Sequence, residues 1–288
     1  MTKARATLLG FGAVLMWALL ALLTVKTVPI PPLQLTSMSF VIGGSLGLCW
    51  VIFAGEAQSL KTVSWKIYAF GTVGLFGYHF LYFSALRLAP AAEAGLIAYL
   101  WPLLIVLLSG ILPEERLKSG HVLGGLVGFA GAALIVTQGQ TSFETDAILG
   151  YCLALLCAVT WSSYSVISRR LGQTPTSSVV VFCLGTAILS AIAHLGLETT
   201  VWPDQISVWL AVIGLGVGPV GLAFFVWDVG VKRGDIQLLG VASYAAPLLS
   251  TFVLVAAGIA DLTWTLFAAS VLVTLGAVFA ARASQSTT

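Results

Sequence analysis

The chain has 288 residues, 59% of them hydrophobic and 8% charged, with a mean hydropathy of +1.03 and a net charge of +2. A soluble domain carries roughly 25% charged residues, so a water-soluble fold is excluded, and the near-neutral balance leaves no electrostatic footprint for a nucleic-acid partner. Lipid is the implied solvent, and the alternating pattern of barrel strands is absent, so the expectation is an all-α integral membrane protein.

In chain order, apolar runs between polar breaks predict ten transmembrane helices over residues 6–26, 33–54, 66–86, 92–112, 119–138, 147–168, 177–197, 206–230, 236–259 and 262–281. The first run, after MTKAR, is too long for a signal h-region and is read as a retained helix. With the N-terminus inside, Lys3, Arg5, Lys61, Lys66, Arg116, Lys118, Arg169, Arg170, Lys232, Arg233 and Arg282 fall on the cytoplasmic side, and only Lys26 and Arg87 fall outside. That positive-inside bias predicts N-in and C-in termini. Trp50 and Trp65 near the inner boundary and Trp202, Trp209 and Trp264 near the outer one form the usual interfacial belt. Cys49, Cys152, Cys157 and Cys183 lie in apolar runs without a CxxC spacing and are read as packing residues.

The sequence repeats. Residues 82–102, YFSALRLAPAAEAGLIAYLWP, align without a gap on 227–247, WDVGVKRGDIQLLGVASYAAP, so that Tyr99 meets Tyr244 and Pro102 meets Pro247. At nearly the same offset Trp17 meets Trp161, Lys26 meets Arg170, and Gly131 meets Gly276. Two five-helix units are expected, 1–142 and 143–288, with a disordered tail over about 283–288. An odd number of helices per unit inverts the second copy, and repeats of inverted topology expose one midplane site to each side in turn, which argues for transport. Gly120, Gly124 and Gly128 make a small-residue face on the fifth helix, and the cluster from Gly214 to Gly221 with Pro219 suits a bend in the eighth.

At 1.5 Å per residue, Trp17, His79, Tyr99, Trp101, Trp161 and Tyr244 all lie roughly 10 to 15 Å from a helix end, near the midplane. His79, flanked by Tyr78 and with Tyr82 on its face, is the leading candidate, because an ionisable group at that depth marks function. Asp228 is read as an ion pair with Lys232 at i+4. Pro102 and Pro247 remove the helical donors to the carbonyls of Ala98 and Ser243, and with Pro219 they are the expected kinks. No GxxxxGK[ST], HExxH or GxSxG occurs, no dense Asp/His cluster suggests a metal or another cofactor, and no enzyme is expected.

These features together, the inverted five-helix halves, Trp17 to Lys26 repeated as Trp161 to Arg170, and the paired Tyr and Pro of helices four and nine, resemble the EamA type of the drug/metabolite transporter superfamily. Within it, YHFLYFSAL at 78–86 with AYLWPLLIVLLS at 98–109 looks like the YddG group of amino-acid exporters. The resemblance implies a multi-pass protein of the bacterial inner membrane that exports neutral and preferentially aromatic amino acids by alternating access, and a monomer is expected. It places Trp17, Tyr78, His79, Tyr82, Tyr99, Trp101, Trp161 and Tyr244 around a central cavity. Phe224 and Ala246 stand where the first half has His79 and Trp101, so the cavity is expected to be lopsided. The alternative is a multidrug exporter of lipophilic cations held over the same rings, against which the absence of a deep carboxylate weighs, or an exporter of another small metabolite.

Overall fold

The computed structural model describes residues 1–285. Among these, ten helices are long and apolar enough to cross a membrane: α1 (Lys3–Val25), α2 (Pro32–Phe53), α3 (Trp65–Leu88), α4 (Ala91–Ser109), α5 (Ser119–Thr137), α6 (Thr145–Arg170), α7 (Thr176–Leu197), α8 (Ile206–Arg233), α9 (Ile236–Ala256) and α10 (Trp264–Gln285). Their bounds fall within about four residues of those expected, because hydropathy is read along one dimension. Local chemistry sets the ends. Ser64 accepts from the Lys66 amide at the start of α3, Asp235 accepts from the Leu238 amide at the start of α9, and Pro32 sits in the first turn of α2. Gly55 and Gly258 close α2 and α9 in the left-handed region, where a side chain would be strained.

The bundle is turned outward for lipid: Phe53, Trp65, Leu195, Ile206 and Trp264 are exposed. Inside, the most extensive contacts join α5 to α10, α2 to α7, α3 to α6 and α1 to α8. Glycine permits the closest of these. A Cβ on Gly124 would stand 2.6 Å from the Gly276 carbonyl, and one on Gly276 would stand 2.9 Å from the Gly128 amide, so α5 and α10 meet backbone to backbone.

Four helices are interrupted. α1 relaxes at Ala18–Leu19, α4 at Tyr99–Leu100, α9 at Ser243–Tyr244, and α8 contains a π-turn at Gly218–Leu222. Each expected proline lies at a break, since Pro102 is in the first turn of the second segment of α4, Pro247 follows the break in α9, and Pro219 lies inside the π-turn. The Ser243 carbonyl does not stay open, however, because the Ala246 N–H donates to it at 3.0 Å. The expected tail also needs correction. Residues 283–285 continue α10, held by the Lys118 ammonium on the Ala283 carbonyl and by Ser284 beside His121, while 286–288 lie outside the described residues.

One face of the bundle is locked by polar bonds between distant segments. Arg169 at the end of α6 pairs with Glu115 and donates to the carbonyls of Val231 and Gly234. Lys3 pairs with Asp235, whose amide donates to Thr7, and Lys232 pairs with Asp228, which also accepts from Thr176. The Asp228–Lys232 ion pair is thus as expected, and both side chains are buried. At the opposite face, the Glu198 carboxylate caps α2 through the Leu33 and Gln34 amides and pairs with Arg87 and His194.

Candidate functional site

Aromatic residues from six helices meet in the middle of the bundle. Trp17 sits at the break of α1, Trp101 at the start of the second α4 segment, and Trp161 on unbroken α6. Their ring centroids lie 6.0 to 6.3 Å apart in edge-on contacts. Trp227 of α8 completes the group, 5.1 Å from Trp17 and 5.8 Å from Trp101, and its indole N–H donates to Ser165. Each such pair contributes about 0.5 to 1.5 kcal/mol beyond the burial of its area, so the four indoles form a stiff floor.

Above the floor stands a more open wall. Tyr78 and Tyr82, one turn apart on α3, lie parallel with centroids 6.3 Å apart, and Tyr78 also leans on Trp161 at 5.2 Å. His79 points its ring edge at Phe40, 5.1 Å away, and Phe40 stacks on Phe224. Its Nδ1 bonds the Leu75 carbonyl one turn back, which fixes the ring and leaves Nε2 directed away from its own backbone. Tyr99, at the break of α4, neighbours Tyr78 and Tyr82. Trp101, Trp161 and Trp227 are buried, whereas Trp17, Tyr78, His79, Tyr82 and Tyr99 are partly accessible.

The polar atoms separate these residues further. The hydroxyls of Tyr68, Tyr151 and Tyr244 bond backbone groups. Those of Tyr78, Tyr82 and Tyr99, and the indole N–H groups of Trp101 and Trp161, have no hydrogen-bond partner among the described residues. The wall therefore presents unused donors and acceptors beside ring faces.

Seven of the eight expected residues thus come together. Tyr244 does not. It is fully buried in a separate core with Leu103, Ala132 and Val273, against Gly128 and Phe129, and its hydroxyl takes up the Leu103 amide. α9 turns this residue toward Gly128 of α5. Phe40 and Trp227 were missed. Trp227 had a signal, since the repeat lays it on Tyr82, while Phe40 lies in a uniformly apolar helix with no local mark. Phe224 stands by His79, with ring centroids 6.1 Å apart. Among the described residues no group of three or more His, Cys, Asp or Glu side chains could hold a metal.

A multi-pass helical bundle with an aromatic centre reached by broken helices has the features of a membrane transporter. The chain belongs to the EamA-like transporter family, which matches it twice, over residues 4–137 and 148–282. It is 51% identical to the aromatic amino acid exporter YddG of Ancylobacter novellus, over 97% of this chain and 98% of that protein. The proteins of that name from Salmonella typhimurium and Escherichia coli are 23% and 24% identical, over 96% and 87% of this chain and 97% and 88% of theirs. A crystal structure of a 51% identical protein superposes with a TM-score of 0.93, covering 97% of this chain and 98% of that one.

Proposed function

We propose that the protein exports neutral, preferentially aromatic, amino acids across the bacterial inner membrane by alternating access, as a monomer with both termini in the cytoplasm. The observation that carries this reading is the set of unpartnered Tyr78, Tyr82 and Tyr99 hydroxyls and Trp101 and Trp161 indole N–H groups beside the accessible ring faces. A zwitterion offers acceptors on its carboxylate and donors on its ammonium, and a side-chain ring gains the same aromatic contacts that the wall residues make with one another. The relative from Ancylobacter novellus supports the substrate class.

The halves, 1–142 and 143–288, act as inverted repeats in this reading. Supporting it, exchanging the halves turns the contact of α1 with α8 into that of α6 with α3, and returns the pairs α5–α10 and α2–α7 to themselves. Eleven of the thirteen Lys and Arg residues lie toward one side, which supports the N-in orientation. The face around Arg169 and Glu115 is then cytoplasmic, and the face around Glu198 and Arg87 is external.

The lipophilic-cation alternative lacks a counter-charge, because the buried acidic residues are engaged elsewhere: Asp228 by Lys232, Asp235 by Lys3, and Glu93 by the Ser142 amide. Flux from liposomes loaded with labelled tryptophan, phenylalanine, threonine or a quaternary ammonium dye, with and without a pH gradient, tests the proposal. Amino-acid efflux is expected. Dye efflux alone would replace this reading with the alternative.

A further inference from the structure

Trp17 and Trp161 occupy matching positions in the repeat but have different surroundings. Trp161 stands on an unbroken helix with its indole N–H unpartnered among the described residues. Trp17 ends the first segment of α1, and its Nε1–H donates to the Pro219 carbonyl at 3.1 Å. Pro219 belongs to the π-turn Gly218–Leu222, in which the amide at Ala223 reaches back five residues to the Gly218 carbonyl. α3, the counterpart of α8, runs from Trp65 to Leu88 without such a turn.

The register of the repeat fits the difference. Residue 17 pairs with 161, but residue 82 pairs with 227, so the second half contains one extra residue between those points. A π-turn holds one residue more than an α-turn and is the place where a helix absorbs such an excess. Its far side is fitted to α2, since a Cβ on Gly43 would stand 2.5 Å from the Gly221 Cα and 2.9 Å from the Gly216 carbonyl oxygen. On its near side the turn is held by the Trp17 N–H. The Trp17 ring also touches Trp101, Trp161 and Trp227, and Phe224 just beyond the turn.

We propose that Trp17 is a positioning residue rather than a substrate ligand: its indole N–H latches the π-turn of α8, so that displacement of the aromatic floor is passed to the hinge between the Ile206–Val217 and Ala223–Arg233 segments. The bond satisfies a carbonyl at the loosest turn of α8, and alternating access can use it as a joint between the aromatic floor and that turn. The inference rests on the transport reading, and two readouts keep the two separable.

Trp17→Phe keeps a ring and removes the donor, while Pro219→Ala keeps Trp17 and its acceptor carbonyl and puts a backbone N–H donor into the π-turn, stiffening it. Trp17→Phe is expected to speed amide hydrogen exchange over residues 218–224 of the purified protein about fivefold, the equivalent of one ordinary hydrogen bond. Tryptophan counterflow in liposomes should lose kcat by a similar factor while KM stays within about twofold, as for an interaction felt only in the moving step. Pro219→Ala should lower kcat in the same way, and the double variant should be no slower than the worse single one. Unchanged exchange in Trp17→Phe, or a raised KM with kcat intact, would overturn the proposal and make Trp17 a ligand. An absence of tryptophan flux in the unsubstituted protein would overturn transport instead, and the exchange comparison would still decide the latch. Should Trp17→Phe fail to fold, kcat unchanged in Pro219→Ala would equally reject the hinge.

Discussion

The backbone N–H of Leu103 donates to the phenol oxygen of Tyr244 at 3.1 Å, tying residues 141 apart in the chain. Leu103 lies in the first turn of the second α4 segment, where the break at Tyr99–Leu100 leaves amides without helical acceptors. Tyr244 supplies one from the other half, so the paired tyrosine serves the fold. Tyr244→Phe should therefore lower stability by about 1 kcal/mol, the worth of one buried hydrogen bond, and leave the KM for tryptophan unchanged. Tyr99→Phe should do the reverse, raising KM with little change in melting temperature. Thermal unfolding and liposome flux on both variants check the contrast.

Glu115 and Arg169 join the α4–α5 connection to the end of α6, and Arg169 also holds the α8–α9 connection through two carbonyls. Neutralising one partner of an enclosed pair leaves the other charge poorly compensated. Glu115→Gln should loosen this face and increase the reactivity of a cysteine introduced at Gly172 or Thr174 toward a membrane-impermeant maleimide from the same side. No change in labelling rate would show that the pair does not hold the face shut.

The Glu198 carboxyl is raised by its burial, but the His194 ring, the Leu33 and Gln34 amides and the Arg87 guanidinium outweigh that and hold its pKa below the ordinary 4.5. A carboxyl whose folded pKa is depressed contributes stability above its unfolded pKa and loses it as pH falls through the lower folded value. Melting temperature should accordingly drop as the solution is acidified below about pH 4.5. Glu198→Gln should melt lower at neutral pH and show a shallower decline on acidification. Equal slopes for the two proteins would show that other groups govern acid sensitivity.

A Cβ on Gly276 would stand 2.6 Å from the Gly124 carbonyl and 2.9 Å from the Gly128 amide, both backbone atoms that cannot step aside. Gly276→Val should destabilise the protein by about 1 to 3 kcal/mol through overpacking. Gly12→Val, at a position where a Cβ meets nothing within 4 Å, is the control and should melt within about 2 °C of the original protein.

Hydropathy and residue spacing explain what is legible in the sequence. The ten spans follow from hydropathy, and Tyr78, His79 and Tyr82 follow from a polar-edged face at midplane depth on one helix. Tyr244 satisfied the same depth rule and lies elsewhere, because counting residues fixes height along a helix but not which neighbour the residue faces. Phe40 carried no mark at all, and it reaches the site because glycines at 43, 216 and 221 draw α2 against α8.

The amino-acid sequence by itself determined the solvent, the spans, the repeat and the chemical character of the centre, since each depends on which residues occur and at what spacing. Tertiary structure alone decided which tyrosines keep free hydroxyls, which tryptophan gives its N–H to a carbonyl, and which face is locked by ion pairs. Those outcomes depend on azimuth and on contacts between residues 54 to 202 positions apart, which backbone breaks and glycine-close packing set and no local pattern encodes.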